Sequence, residues 1–356
     1  MTHILSLKET LILEPGTVLP SVEIAYHTYG HLNANRDNVI WIGHALTGNA
    51  EADIWWKGLF GPNQLLDSSK WFIVCANMLG SCYGTTGPGS INPLTGEIYG
   101  ANFPLITIRD MAMVHDLLRK YLGIEAIQLA IGGSMGGQQM LEWAYLQPSL
   151  IKKLALLATN AVHSPWGIAF NEAQRMAIQT GMISNDPEVL SKGLEAARAI
   201  GMLSYRNYHT FSHTQNETED KIDQFKAASY QNYQGQKLSK RFNPYSYLVL
   251  SKAMDSHNLG RGRGGLEIAL SKIKAKTVVI GIRTDILFPL SEQNTIAAFI
   301  PEASFHIIDS RYGHDGFLIE FEKITHLLVP FLESGQFPEK SRFSDEVIAI
   351  PGSEGF

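Results

Sequence analysis

"AIGGSMGGQQMLEWAY", residues 130–145, sets four glycines around one serine and then runs straight into helix-forming sequence. Glycine serves where backbone must pass close to backbone or enter a conformation that side chains resist. Gly132-Gly133-Ser134-Met135-Gly136 has the spacing G-x-S-x-G, in which a serine on a strained strand-to-helix turn is lifted clear of a sheet. The flanks agree. Apolar "AIQLAIGG" (126–133) predicts a strand ending at the turn. "MGGQQMLEWAYLQ" (135–147) predicts a helix whose positive end points at the hydroxyl.

Outward from that turn the chain alternates short apolar runs with amphipathic stretches, the pattern of an α/β protein with a mostly parallel sheet. Strands are expected at "NVIWIG" (38–43), "WFIVCAN" (71–77), "KKLALLAT" (152–159), "KTVVIGI" (276–282) and "SFHIID" (304–309). Their near-continuous apolar character suits strands covered on both faces. Helices fit "RDMAMVHDLLRKYLG" (109–123) and "FLIEFEKITHLLVPFLES" (317–334). Between about 165 and 265 the strand rhythm stops and helical, polar sequence takes over. The expected organisation is a core over 1–164 and 266–356 interrupted by a helical lid over 165–265, with a peripheral tail from Gln336.

A serine hydroxyl needs a base, and the base needs an orienting carboxylate. Behind a serine turn of this kind the chain order is serine, acid, histidine, each after a strand end. "VVIGIRTDILFP" places Asp285 just past a strand, and "FHIIDSRYGHDGFLIE" places His314 in the loop after the next one. Asp309 is the rival acid, but it closes its own strand only a few residues from the histidine, so Asp285 is preferred. Two backbone N–H groups must then receive the tetrahedral oxyanion. Met135, directly after the serine, supplies one, and Leu46 in "IGHALTGNA" (42–50) is the candidate for the other.

Bulk properties narrow the partners. The formal charge of −5 and the lack of a long basic run give nucleic-acid binding no electrostatic support. "GRGRGG" (260–265) satisfies a dinucleotide fingerprint by spacing, but no strand precedes it. His209 and His213 lack the glutamate of a zinc H-E-x-x-H, so no metal is expected. Two cysteines, Cys75 and Cys82, make no disulfide framework. With no leader-like start and no bilayer-length apolar window, a cytoplasmic protein without a membrane partner is expected.

Several stretches together resemble the homoserine O-acetyltransferases of the α/β-hydrolase superfamily. They are "HALTG" (44–48), "NMLGSCYGTTGPGSINPLTG" (77–96), "FPLITIRDM" (103–111), "GGSMGG" (132–137), "SPWGIAFNEAQRMAI" (164–178), "ARAIGMLSYR" (197–206), "LGRGRGG" (259–265), "DILFP" (285–289) and "YGHDGF" (312–317). The resemblance implies an α/β-hydrolase fold with an inserted helical lid and a two-step acyl transfer through Ser134, His314 and Asp285. Acetyl-CoA would be the co-substrate, L-homoserine the acceptor, and the product would feed methionine synthesis, with no bound cofactor. Arg198 and Tyr205 match positions that hold the substrate carboxylate, Asp315 matches the one that holds its amino group, and Thr47 lies near the reacting centre. The resemblance also implies a homodimer joined through the helical insert, to which "YSYLVLSKAMDSH" (245–257) would offer apolar surface. A related group transfers succinyl to homoserine or serine, and an esterase would finish the same chemistry with water; sequence pattern leaves these open. Departures from the common text are Gln138, Gly316 and "GNAEADIWW" (48–56), the last expected at the pocket mouth.

Overall fold

The computed structural model describes residues 2–184 and 186–338. Its centre is an eight-stranded sheet: β1 (His3–Leu7), β2 (Val22–Tyr29), β3 (Val39–Gly43), β4 (Phe72–Ala76), β5 (Leu129–Gly133), β6 (Lys153–Leu157), β7 (Lys276–Ile282) and β8 (Ala303–Ile308). They lie in the order β1-β2-β4-β3-β5-β6-β7-β8. The β1–β2 and β2–β4 pairs are antiparallel and every other pair is parallel. β1, at the edge, and β2 beside it were not among the strands expected from sequence.

Besides one short turn of helix at Ala52–Trp55, the helices are α1 (Ile108–Tyr121), α2 (Met135–Leu146), α3 (Pro165–Met182), α4 (Pro187–Tyr205), α5 (Tyr208–Gln215), α6 (Lys226–Ser239), α7 (Pro244–Asp255), α8 (Leu266–Leu270), α9 (Leu290–Phe299) and α10 (Phe321–Ser334). Six of them, α3 to α8, fall between β6 and β7 and form the helical insert. Alternate residues of the central strands feed two separate cores. Val39 and Trp41, Leu154 and Leu156, and Val279 pack on one face with Met111, Leu118 and Leu141. Ile40 and Ile42, Ala155 and Leu157, and Ile280 pack on the other with Ile324, Leu328 and Phe331. Burial on both faces is why these strands read as unbroken apolar runs.

The last helix begins at Phe321, four residues later than expected, because Gly313–Leu318 form a 3-10 turn instead. The "GRGRGG" segment is a clamp on α2. Arg263 donates to Glu142 and lies over the Tyr145 ring at 3.8 Å, and Arg109 reaches the same buried carboxylate at 2.9 Å. Five apolar residues of α7 (Tyr247, Leu248, Leu250, Ala253, Met254) are buried within the chain, and Tyr245 and Val249 are partly buried against the same core. That segment therefore does not offer the free surface expected of it, since its side chains complete the core beneath the insert. Among the described residues no helix is long and apolar enough to cross a membrane.

Candidate active site

Ser134 stands between β5 and α2 with φ 55° and ψ −130°, a conformation few residues with a Cβ adopt. Its neighbours explain how the turn is held. A Cβ on Gly132 would sit 2.4 Å from the Gly136 carbonyl, and one on Gly136 would sit 2.1 Å from the carbonyl oxygen of Gly43 on β3. The glycines let the first turn of α2 press onto two strand ends. The serine N–H donates to the Leu157 carbonyl at 2.9 Å, and its own carbonyl accepts the Thr159 hydroxyl at 2.7 Å. Because backbone, rather than a movable side chain, blocks the space, Gly136→Ala should cost about 3 kcal/mol or more, read as a lowered unfolding midpoint in urea.

Asp285 follows β7 and is buried. One carboxylate oxygen accepts the N–H groups of Leu287 and Phe288 at 2.8 and 2.9 Å; the other lies 2.7 Å from His314 Nδ1. An ionised carboxylate only accepts, so Nδ1 carries the proton and Nε2 is left as the basic atom. The imidazole stacks on Phe288 with centroids 5.0 Å apart and meets Phe317 edge-on at 5.3 Å. Burial pulls the His314 pKa down, but the adjacent Asp285 carboxylate outweighs it, so the ring holds its proton above the ordinary histidine value. The rival acid Asp309 is half-exposed and paired with Arg283 on the surface.

Ser134 and His314 face one cavity of about 80 Å³, and Leu46, Thr47, Arg198, Tyr205 and Asp315 share its wall. Met135 and Asp285 do not line it; they stand directly behind Ser134 and His314. The structure thus brings all nine sequence-predicted residues to one place. Arg198 lies over the Tyr205 ring, 5.3 Å from its centroid. Asp315 is pushed up by burial and pulled back by the Arg206 guanidinium 3.2 Å away, with a net rise. The stretch "GNAEADIWW" is absent from the cavity wall, contrary to expectation. Its Trp56 is buried and donates to the Phe317 carbonyl at 3.1 Å, which places it behind the histidine turn.

The family described as "alpha/beta hydrolase fold" matches residues 38–321. A homoserine O-acetyltransferase from Cyclobacterium marinum is 52% identical over 326 residues, covering 91% of this chain and 93% of that protein. The chain belongs to the homoserine O-acetyltransferase family. Two solved structures extend the likeness to shape. The homoserine O-acetyltransferase of Bacillus anthracis has TM-score 0.86 at 25% identity over 94% of this chain and 97% of that one. An acetylester hydrolase from Corynebacterium glutamicum has TM-score 0.83 at 25% identity over 94% and 96%. The scaffold of this family is thus shared with an esterase.

Two arginines that contact residues of the cavity wall escaped the sequence reading. Arg206 pairs with Asp315, and Arg241, from the loop before α7, donates to the Thr47 carbonyl at 2.8 Å. Both come from the helical insert, and no local pattern tells a surface arginine from one that folding carries to the site. Gln138, which replaces a common methionine, donates to Asn160 at 2.8 Å, and Asn160 in turn donates to Glu292.

Proposed function

We propose that this chain transfers an acetyl group from acetyl-CoA to the side-chain hydroxyl of L-homoserine through an acyl-Ser134 intermediate. His314 Nε2 takes the hydroxyl proton as Ser134 Oγ attacks the thioester carbon. The oxyanion forms against the N–H groups of Leu46 and Met135, the C–S bond breaks, and the thiol leaves with the proton from His314. The homoserine hydroxyl then gives its proton to His314 and attacks the acyl carbon. Ser134 Oγ leaves with that proton, and O-acetyl-L-homoserine is released for methionine synthesis. Asp285 holds the ring in the required tautomer throughout. No bound cofactor takes part.

The observation that carries this reading is charge of both signs in one small chamber with the serine and the histidine. Arg198 and Asp315, both on its wall, match the carboxylate and ammonium of an amino acid. A volume of about 80 Å³ lies far below that of a drug-sized ligand site, so only the acyl end of a large thioester enters. Among the described residues Arg198 is the only arginine or lysine on this wall, and Arg206 and Arg241 behind it are engaged with Asp315 and the Thr47 carbonyl. With Arg198 holding the acceptor, no unengaged cation lines the wall for a succinyl carboxylate, which favours acetyl. The reading includes a homodimer formed through the insert, where Ile183, Leu203 and Tyr208 are exposed, and a cytoplasmic setting, in keeping with two free cysteines.

Thiol release from acetyl-CoA and succinyl-CoA, measured with and without L-homoserine, tests it. Release that depends on homoserine and prefers acetyl-CoA supports transfer; release indifferent to homoserine makes this an esterase. Loss of one charged hydrogen-bond partner is worth about 1.5–3 kcal/mol, so Arg198→Gln should raise the homoserine KM about 10- to 100-fold. The acetylation burst should keep its rate in that variant. A burst slowed as much as the second step would remove Arg198 from acceptor binding.

A further inference from the structure

Behind the cavity a buried chain of hydrogen bonds ends on both segments assigned to the oxyanion site. Trp41 Nε1 donates to His115 Nδ1 at 3.3 Å, His115 Nε2 lies 2.9 Å from Gln139 Oε1, and Gln139 Nε2 lies 3.1 Å from the Met135 carbonyl and 3.3 Å from the His44 carbonyl. Trp41, His115 and Gln139 are all buried. An indole N–H only donates, so His115 Nδ1 accepts and the ring's one proton sits on Nε2. That proton goes to Gln139 Oε1, which turns the amide NH2 toward the two carbonyls. Every donor direction in the chain follows from the tryptophan.

We propose that Gln139 is a positioning residue that sets the separation of the Leu46 and Met135 N–H donors by holding the His44 and Met135 carbonyls with one amide. The inference rests on the oxyanion assignment above. The two donors come from a loop after β3 and from the start of α2, and an oxyanion needs both at about 3 Å. His44 steadies the loop from its other side. Its Nε2 accepts the Met78 N–H at 3.1 Å, and its Nδ1 lies 3.0 Å from the Ala45 carbonyl. Burial holds both His44 and His115 down to about 4, so both rings stay neutral and the donor order persists at working pH. The hydrogen-bond chain ends on two backbone carbonyls, which the amide can hold together only when its NH2 is turned toward them, so the direction set by Trp41 and His115 matters as well as the bonds themselves.

Gln139→Leu keeps the volume and removes both ends of the amide. A displaced donor costs on the order of 10²-fold, so kcat should fall about 100-fold with both KM values within about 3-fold. Fluorophosphonate labelling of Ser134, which also develops an oxyanion, should slow in parallel. His115→Phe frees the amide to turn over and should lower kcat about 10-fold. His115→Gln, which keeps an acceptor for Trp41 and a donor for Gln139, should recover most of that loss. Unchanged kcat and labelling in Gln139→Leu, with only a lowered melting temperature, would overturn the proposal. So would equal losses in the Phe and Gln variants of His115, a pair that decides the matter if Gln139→Leu does not fold. Wild-type enzyme indifferent to homoserine would instead remove the transferase reading, and the same variants would then be read on ester hydrolysis.

Discussion

Ser134→Ala is expected to lower acetyl transfer by about 10⁴-fold or more, while the thermal midpoint moves by no more than about 3 °C. The two halves of this expectation have separate causes. In the proposed mechanism Ser134 Oγ carries the acyl unit between the two half-reactions, so the covalent route ends when that oxygen is gone. A residual rate should survive from the oxyanion donors and substrate binding. The turn itself is held through backbone: the N–H to Leu157, the carbonyl to Thr159, and the Gly136 contact with β3. Alanine adopts φ near 55° at much the same cost as serine, so the strained bend should persist. Thiol release from acetyl-CoA and calorimetry on the same preparation read the two quantities. Near-normal transfer by a folded alanine variant would mean that the acetyl group never rests on residue 134.

The glycine pattern was legible because its cause is local. Residues 132 and 136 are separated by little more than one turn of chain, and the contact that demands glycine follows from the bend. The central strands were legible for a related reason: a strand buried on both faces writes its burial as an apolar run. β1 and β2 carry no such mark. β1 has one buried residue among five, and β2, though five of its eight residues are buried, carries Glu23, His27 and Thr28, which break up the apolar run. The acid and histidine could be ordered along the chain because each follows a strand end. Arg206, Arg241 and Gln139 could not be placed, since their partners lie in other elements: Asp315 in the histidine turn, Thr47 in an early loop, His44 beyond β3. Which helix residue faces which loop is decided by how the insert and α2 pack, and that leaves no trace in the spacing of either segment. The apolar text of α7 misled for the same reason, because an apolar face reads alike whether the chain or a second copy covers it.

Asp285→Asn should lower kcat by about 10⁴-fold and also move the acid limb of its pH profile. The geometry dictates how the amide sits. One oxygen of Asp285 is tied to the N–H groups of Leu287 and Phe288, so the asparagine oxygen must stay there and its NH2 must face His314. An amide donor opposite Nδ1 forces that nitrogen to accept, which moves the imidazole proton to Nε2, the atom that should take the serine proton. The base is then present but in the wrong tautomer. In the wild-type protein the working form of His314 is neutral, so activity falls as pH drops through a pKa that Asp285 holds above 6.5 against the effect of burial. Removing the carboxylate leaves burial opposed only by the weaker effect of the Asp315 charge. The pKa should drop, and the acid limb should shift to lower pH even as the plateau collapses. Asp309→Asn is the control: that side chain is half-exposed and paired with Arg283, and its loss should change kcat by less than about 2-fold. A profile for Asp285→Asn with its acid limb unmoved, or a kcat within tenfold of wild type, would show that another group orients the histidine.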